Sequence, residues 1–182
     1  VLPLSQLWNF DRFGDSDFDV STMEVPDQAD IREAMKKVDY TQLRYDDETG
    51  ILSTENTDIQ IELGAIGKGY AIEQAKKILT SSDASGGMIS AGSSIYVYGK
   101  KTDGSKFRVA LRDPRGDENS AIGVLTLSDI TISTSGDYER YFEKDGVRYH
   151  HILDPRTGYP ADSGLMQVTI ISDDSVMGDA LS

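Results

Sequence analysis

The segment Gly64-Ala65-Ile66-Gly67-Lys68-Gly69 sets three glycines beside a lysine, just ahead of an apolar, helix-periodic run. A helix start of this kind exposes free backbone N–H groups and suits an anion. It is not a Walker loop, because two residues rather than four separate Gly64 from Gly67-Lys68, and Gly69 stands in place of the Ser/Thr; nor does it fit G-x-G-x-x-G. A tight turn with a surface lysine is the competing reading. Ser133-Thr134-Ser135-Gly136 offers hydroxyls and backbone donors suited to a phosphate. The only histidines, His150 and His151, are adjacent, so on a strand they point to opposite faces and cannot both enter one site. Either a structural or a proton-transferring histidine fits that pattern. Asp15-x-Asp17-x-Asp19 opens like a calcium loop, but Val20 sits where glycine is needed and Pro26 where the bidentate glutamate belongs. It reads as a solvated acidic loop. No serine lies in a G-x-S-x-G elbow.

These residues need elements to hold them. Leu2 to Phe13 is rich in apolar and aromatic residues and includes the only tryptophan, Trp8. Asp27 is placed to cap a helix whose face carries Ile31, Ala34, Met35 and Val38. Short strands are predicted around 43–45 and 51–52, joined by the Asp-Glu-Thr-Gly turn at 47–50. Ile59 to Leu63 alternates as a strand and leads into the glycine segment, then a helix through Tyr70, Ile72, Ala75, Ile78 and Leu79. Beyond residue 84, strands are predicted at 88–98, 106–112, 123–127, 130–134, 138–142, 147–153 and 165–172. Asp154 to Pro160 reads as a rigid turn with a proline near each end. Helices in the first half and strands in the second imply an α+β fold, with helices packed on a mostly antiparallel sheet.

Composition sets the outer limits. The chain has 182 residues, 18 Lys and Arg against 31 Asp and Glu, and a formal net charge of −13. That length suits one well-packed domain, expected here over 1–182. The charge argues against a nucleic-acid groove, which needs clustered cations, and against docking on anionic lipid. No apolar run reaches the ~20 residues of a membrane-spanning helix. The absence of cysteine excludes disulfides, zinc-thiolate and iron–sulfur sites and cysteine nucleophiles. The chain begins at Val1 and stops within 176–181, which reads as the start of a helix, so it is expected to belong to a longer precursor.

The order of these segments carries a resemblance that none carries alone. Ile61-Glu62-Leu63-Gly64-Ala65-Ile66-Gly67-Lys68-Gly69-Tyr70-Ala71 resembles the D-L-G-A-I-A-K-G-Y-A signature of the ApbE-type FAD:protein FMN transferases, formerly called thiamine-biosynthesis lipoproteins. Ile132-Ser133-Thr134-Ser135-Gly136-Asp137-Tyr138-Glu139-Arg140, His151-Ile152-Leu153-Asp154-Pro155-Arg156-Thr157-Gly158-Tyr159-Pro160, Val168-Thr169-Ile170 and Gly178-Asp179-Ala180-Leu181-Ser182 follow in the family's order. Pro3-Leu4, Leu7-Trp8 and Phe10 also look like its opening segment. The chain departs from the pattern at three places. Glu62 replaces an aspartate, Gly67 replaces an alanine, and Ser93 stands where a second glycine is usual.

The resemblance implies an ApbE-like domain, truncated at both ends. It implies transfer of the FMN part of FAD to a Thr or Ser hydroxyl of a target flavoprotein, with release of AMP. The metal, Mg²⁺, would be held by the Ala65 carbonyl, the Asp179 carboxylate and the segment at Ser182 and beyond, an all-oxygen set. Glu62, Lys68 and Leu153 match FAD-contact positions, and His151 matches the histidine that takes the acceptor's proton. The acceptors implied are subunits of redox-driven ion pumps or related secreted flavoproteins. The implied location is extracytoplasmic, on a lipid anchor at the outer face of the cytoplasmic membrane. Metal-dependent hydrolysis of FAD to FMN and AMP, or flavin binding without turnover, are the alternative functions.

Overall fold

The computed structural model describes residues 1–117 and 119–182. In chain order the main elements are α1 (Leu2–Leu7), α2 (Gln28–Met35), β1 (Arg44–Asp46), β2 (Ile51–Ser53), α3 (Gly64–Thr80), β3 (Gly86–Ala91), β4 (Ser94–Gly99) and β5 (Phe107–Arg112). They continue with β6 (Ala121–Leu127), β7 (Ile130–Gly136), β8 (Tyr141–Lys144), β9 (Val147–His150), β10 (Gln167–Ser172) and α4 (Ser175–Leu181). Every strand pairing among the described residues is antiparallel, so the expected α+β class holds. The chain forms two compact units, each built from separate stretches of sequence: 1–62 with 137–164, and 63–136 with 165–182.

In the first unit the aromatic opening becomes core. Leu4, Trp8, Phe10, Met23, Ile31, Phe142 and Leu153 are buried together, with Tyr149 and Tyr159 packed against them. The Trp8 ring lies 5.6 Å from that of Tyr149 and meets Tyr159 edge-on at 5.7 Å, and its Nε1–H donates to the Gly158 carbonyl at 2.9 Å. Gly158 has φ +77°, and a Cβ there would press into Ile31 and Met35 of α2, so glycine is required twice over. Asp27 occupies the cap position of α2 as expected, but its carboxylate makes no capping bond. β8 and β9 are joined by Asp145-Gly146, both at positive φ, the two-residue turn whose twist matches a hairpin.

The predicted strand at 59–63 is absent. That segment is irregular, with Ile61 and Leu63 50% and 63% exposed. Alternation alone does not make a strand; it needs a neighbour to take its hydrogen bonds, and here none pairs with it. The glycine segment after it is not a turn either, because α3 already begins at Gly64. The predicted strand at 88–98 is a hairpin, β3 and β4, turning at Gly92 with φ +63°.

The second unit carries a four-stranded sheet in the order β10-β7-β4-β3. Period-two alternation gives this sheet two unlike faces. Ile95, Val97, Ile130 and Ile132 share one face and pack with Val109, Phe107, Leu125 and Leu127 of the β5–β6 hairpin. Ser94, Thr131 and Ser133 lie on the other face and are fully buried, although they are polar. Thr131 and Ser135 bond to Ser175 and Ser182 of the α4 segment, and a Cβ at Gly178 would lie 3.5 Å from the Ser133 hydroxyl. Small side chains here let α4 lie close against the sheet.

Candidate functional site

Asp179, on α4, is the centre of a buried polar cluster in the second unit. Its side chain is 2% exposed, and three groups reach it. The Gly69 backbone N–H donates to Oδ2 at 2.9 Å, the Ser94 hydroxyl donates to Oδ1 at 3.2 Å, and the Lys68 ammonium lies 3.1 Å from Oδ1. A carboxylate accepts only, which fixes the direction of all three bonds.

The local sequence explains the approach of α3 to α4. A Cβ on Gly69 would overlap the Ser175 carbonyl oxygen and lie 2.8 Å from Asp179 Cβ, so only glycine lets the two helices meet there. α4 is fixed at its start as well. The Asp174 carboxylate caps it by accepting from the N–H groups of Val176 and Met177. Lys76 of α3 donates to the Asp173 carbonyl at 2.6 Å, and Glu73 accepts the Ser175 N–H at 3.4 Å.

The bond from Gly69 to Asp179 has a consequence for Ala65. In an α-helix the N–H of residue 69 faces the carbonyl of residue 65. One N–H shared with a carboxylate satisfies that carbonyl less well, and Ala65 is itself an exposed residue, so its carbonyl keeps acceptor capacity. Ser182 lies at the end of the same helix. Its hydroxyl donates to the Asp179 carbonyl at 3.0 Å and stands 3.0 Å from Ser135 Oγ, so its one proton is committed and one lone pair remains. A carboxylate, a backbone carbonyl and a hydroxyl are each hard oxygen donors, and the Lys68 ammonium 3.1 Å from Oδ1 places a cation against this carboxylate. Among the described residues no three His, Cys, Asp or Glu side chains gather at one point, so an all-acidic metal cage is absent.

Glu62, His151 and Leu153 belong to the first unit. Glu62 is exposed at the end of the irregular segment. Leu153 buries its side chain in the aromatic core and pairs in a single bridge with Pro160, so its side chain is committed to packing. The strand expected at 147–153 ends earlier: β9 stops at His150, and His151 lies just past it. The His151 N–H donates to the Arg140 carbonyl at 3.0 Å, and its Nδ1 is 3.3 Å from the same oxygen. That oxygen only accepts, so a bond to Nδ1 requires Nδ1–H and leaves Nε2 as the basic nitrogen. In the turn that follows, hydrogen bonds from the Arg156 side chain and N–H hold the Asp154 carboxyl below its usual range.

Two other motifs resolve differently from a ligand site. Asp15 and Asp17 pair with Arg12 at 3.5 and 3.6 Å, and Asp19 caps a short 3-10 turn through Ser21, so this loop is an acidic surface loop with its own partners. Ser133-Thr134-Ser135-Gly136 does not follow a strand as an open cradle; it is the end of β7, and its hydroxyls face α4 or pair with Thr169. Ser94 was not among the residues read from sequence. Its only signal there is polar alternation along β4, which ordinarily marks a solvent face.

Comparison with known proteins converges on one group. The model of the ApbE family matches residues 1–182. A protein of Klebsiella pneumoniae named FAD:protein FMN transferase is 38% identical over 177 residues, covering 97% of this chain and 52% of the relative. One of the same name from Treponema pallidum is 34% identical over 192 residues, covering 97% and 50%. The crystal structure of the ApbE protein of Thermotoga maritima superposes with a TM-score of 0.83 at 39% identity, covering all of this chain and 56% of that one. The flavinyl transferase ApbE of Pseudomonas stutzeri, in its apo form, gives 0.78 at 31% identity, covering 100% and 53%. The chain thus spans about half the length of the relatives it matches.

Proposed function

The chain belongs to the ApbE family, and on that premise we propose that it carries the cation and diphosphate-binding part of an FAD:protein FMN transferase. The observation that supports this best is the buried Asp179 carboxylate, gripped by Gly69, Ser94 and Lys68 beside the start of α3. Asp179, the Ala65 carbonyl and the segment at Ser182 would hold Mg²⁺. The ion would neutralise charge on the diphosphate of FAD as the phosphoryl group is transferred.

The remaining chemistry falls to the chain's own groups. Lys68 brings a second positive charge, which a protein of net charge −13 needs if it is to hold a diphosphate. Glu62 and the Leu153 backbone take FAD-contact roles. The Nε2 of His151 accepts the proton of a Thr or Ser hydroxyl on the target flavoprotein. That oxygen forms a bond to the phosphorus of the FMN half as the P–O bond to the AMP half breaks, and AMP leaves with the former bridging oxygen.

The family resemblance also supports flavoprotein subunits of redox-driven ion pumps, or related secreted flavoproteins, as acceptors. On the same ground the intact protein is a lipoprotein anchored at the outer face of the cytoplasmic membrane. Among the described residues no helix is long and apolar enough to cross a membrane. The test is mass spectrometry of a candidate acceptor after incubation with the intact protein, FAD and Mg²⁺, with AMP measured in parallel. The reading expects an FMN adduct on a Thr or Ser, AMP in equal amount, and neither in EDTA. AMP without an adduct would replace transfer by hydrolysis, and full activity in EDTA would remove the metal.

A further inference from the structure

Asp179 has about four lone-pair positions on its two carboxylate oxygens. Gly69 N–H occupies one on Oδ2, while Ser94 O–H and the Lys68 ammonium occupy Oδ1. The three partners differ in stiffness. Gly69 is backbone, locked between α3 and α4 by the absence of a Cβ. Ser94 is fully buried at the start of β4, where it lies opposite Ser133 in the central pair of the sheet. Lys68 is a long side chain, 36% exposed, and free to turn its ammonium toward an anion. Two rigid donors therefore set the plane of the carboxylate, and the third can leave.

We propose that Ser94 is a positioning residue for the Asp179 carboxylate. Together with the Gly69 N–H it pins one oxygen each, so that the carboxylate keeps its orientation when Lys68 turns to the diphosphate and a divalent cation takes its place. This rests on the reading of Asp179 as a metal ligand and extends it to a residue that touches neither cation nor FAD. Without the Ser94 hydroxyl, Oδ1 has Lys68 as its one remaining partner. The carboxylate then follows a mobile side chain, and a cation must compete with the ammonium for a donor that is no longer aimed. Outer partners of this kind ordinarily change metal affinity about 10–100-fold.

The experiment titrates Mn²⁺ into the intact protein without FAD, following free Mn²⁺ by electron paramagnetic resonance, and records melting temperatures in EDTA. Ser94→Ala is expected to weaken Mn²⁺ binding by about 10–100-fold, while melting in EDTA stays cooperative and is lowered only by the loss of one buried hydrogen bond. In turnover it should raise the Mg²⁺ concentration giving half-maximal rate and leave kcat at saturating Mg²⁺ nearly unchanged, a split that a packing defect would not produce. Mn²⁺ affinity within twofold of wild type overturns the proposal. If Ser94→Ala fails to fold, Ser94→Cys keeps the shape of the side chain, slightly enlarged, and supplies only a weak donor; it should show a loss of the same sign, and wild-type affinity there is equally fatal. Asp179→Asn separates the two levels. If Asp179→Asn binds Mn²⁺ as wild type does, the metal assignment itself falls and the role of Ser94 with it. If Asp179→Asn loses the ion while Ser94→Ala and Ser94→Cys keep it, the positioning role alone is wrong.

Discussion

The two adjacent histidines show how much one residue of displacement matters. His150 is the last residue of β9, paired across the hairpin with Tyr141. His151 has left the strand and is steered by the Arg140 carbonyl, through its own N–H and through Nδ1. With Nδ1–H toward the Arg140 carbonyl, the ring's basic lone pair sits on Nε2, the tautomer a proton acceptor needs. His151→Ala is therefore expected to lose about 10²–10⁴-fold of the transfer rate while retaining FAD binding. His150→Ala should keep most of both. Single-turnover AMP release with acceptor present, alongside an FAD titration, checks the pair; a slow His150→Ala beside a healthy His151→Ala would reverse the assignment.

At the level of elements, the contact of α3 with α4 makes two neighbouring glycines behave oppositely. A Cβ at Gly67 meets nothing within 4 Å, whereas one at Gly69 overlaps the Ser175 carbonyl. Gly67→Ala should stabilise the protein by about 0.5–1 kcal/mol, since glycine in a helix interior carries excess chain entropy. Gly69→Ala should destabilise it by about 1–3 kcal/mol through overpacking, and should weaken Mn²⁺ binding because its N–H is one of the donors on Asp179. Urea denaturation of both variants tests the contrast. Equal effects would mean that the helices do not approach as closely as the structure has them.

On the scale of the whole molecule, each unit is closed by bonds between residues far apart in sequence. Trp8 reaches Gly158 across 150 positions in one, and Gly69 reaches Asp179 across 110 in the other. Neither unit is a continuous stretch of chain, so loops must close before these contacts form. Trp8 is the sharpest probe, being fully buried with a long-range hydrogen bond. Trp8→Phe is expected to cost about 1–3 kcal/mol, from the lost indole volume and a Gly158 carbonyl left without its donor. Trp8→Ala should cost about 3–5 kcal/mol. Chemical denaturation measures both, and a Trp8→Phe variant as stable as wild type would show that the hydrogen bond carries no net weight.

The α+β class, most strand positions and the ordered signatures around Lys68, His151 and Asp179 were legible in the residues, because periodicity, turn chemistry and motif order are properties of the chain itself. Partnership is not such a property. Ile59 to Leu63 alternates as well as any strand here, yet it has no neighbour and stays irregular. β7 alternates apolar with small polar residues, and β4 alternates Ile95 and Val97 with the hydroxyl-bearing Ser94, Tyr96 and Tyr98, a pattern that normally marks one face for water. Packing placed a helix there instead, buried Ser94, Thr131 and Ser133, and gave Ser94 a carboxylate to hold. A hydroxyl satisfied by solvent and one satisfied by Asp179 look the same in sequence; which one it is depends on what the tertiary fold sets opposite it.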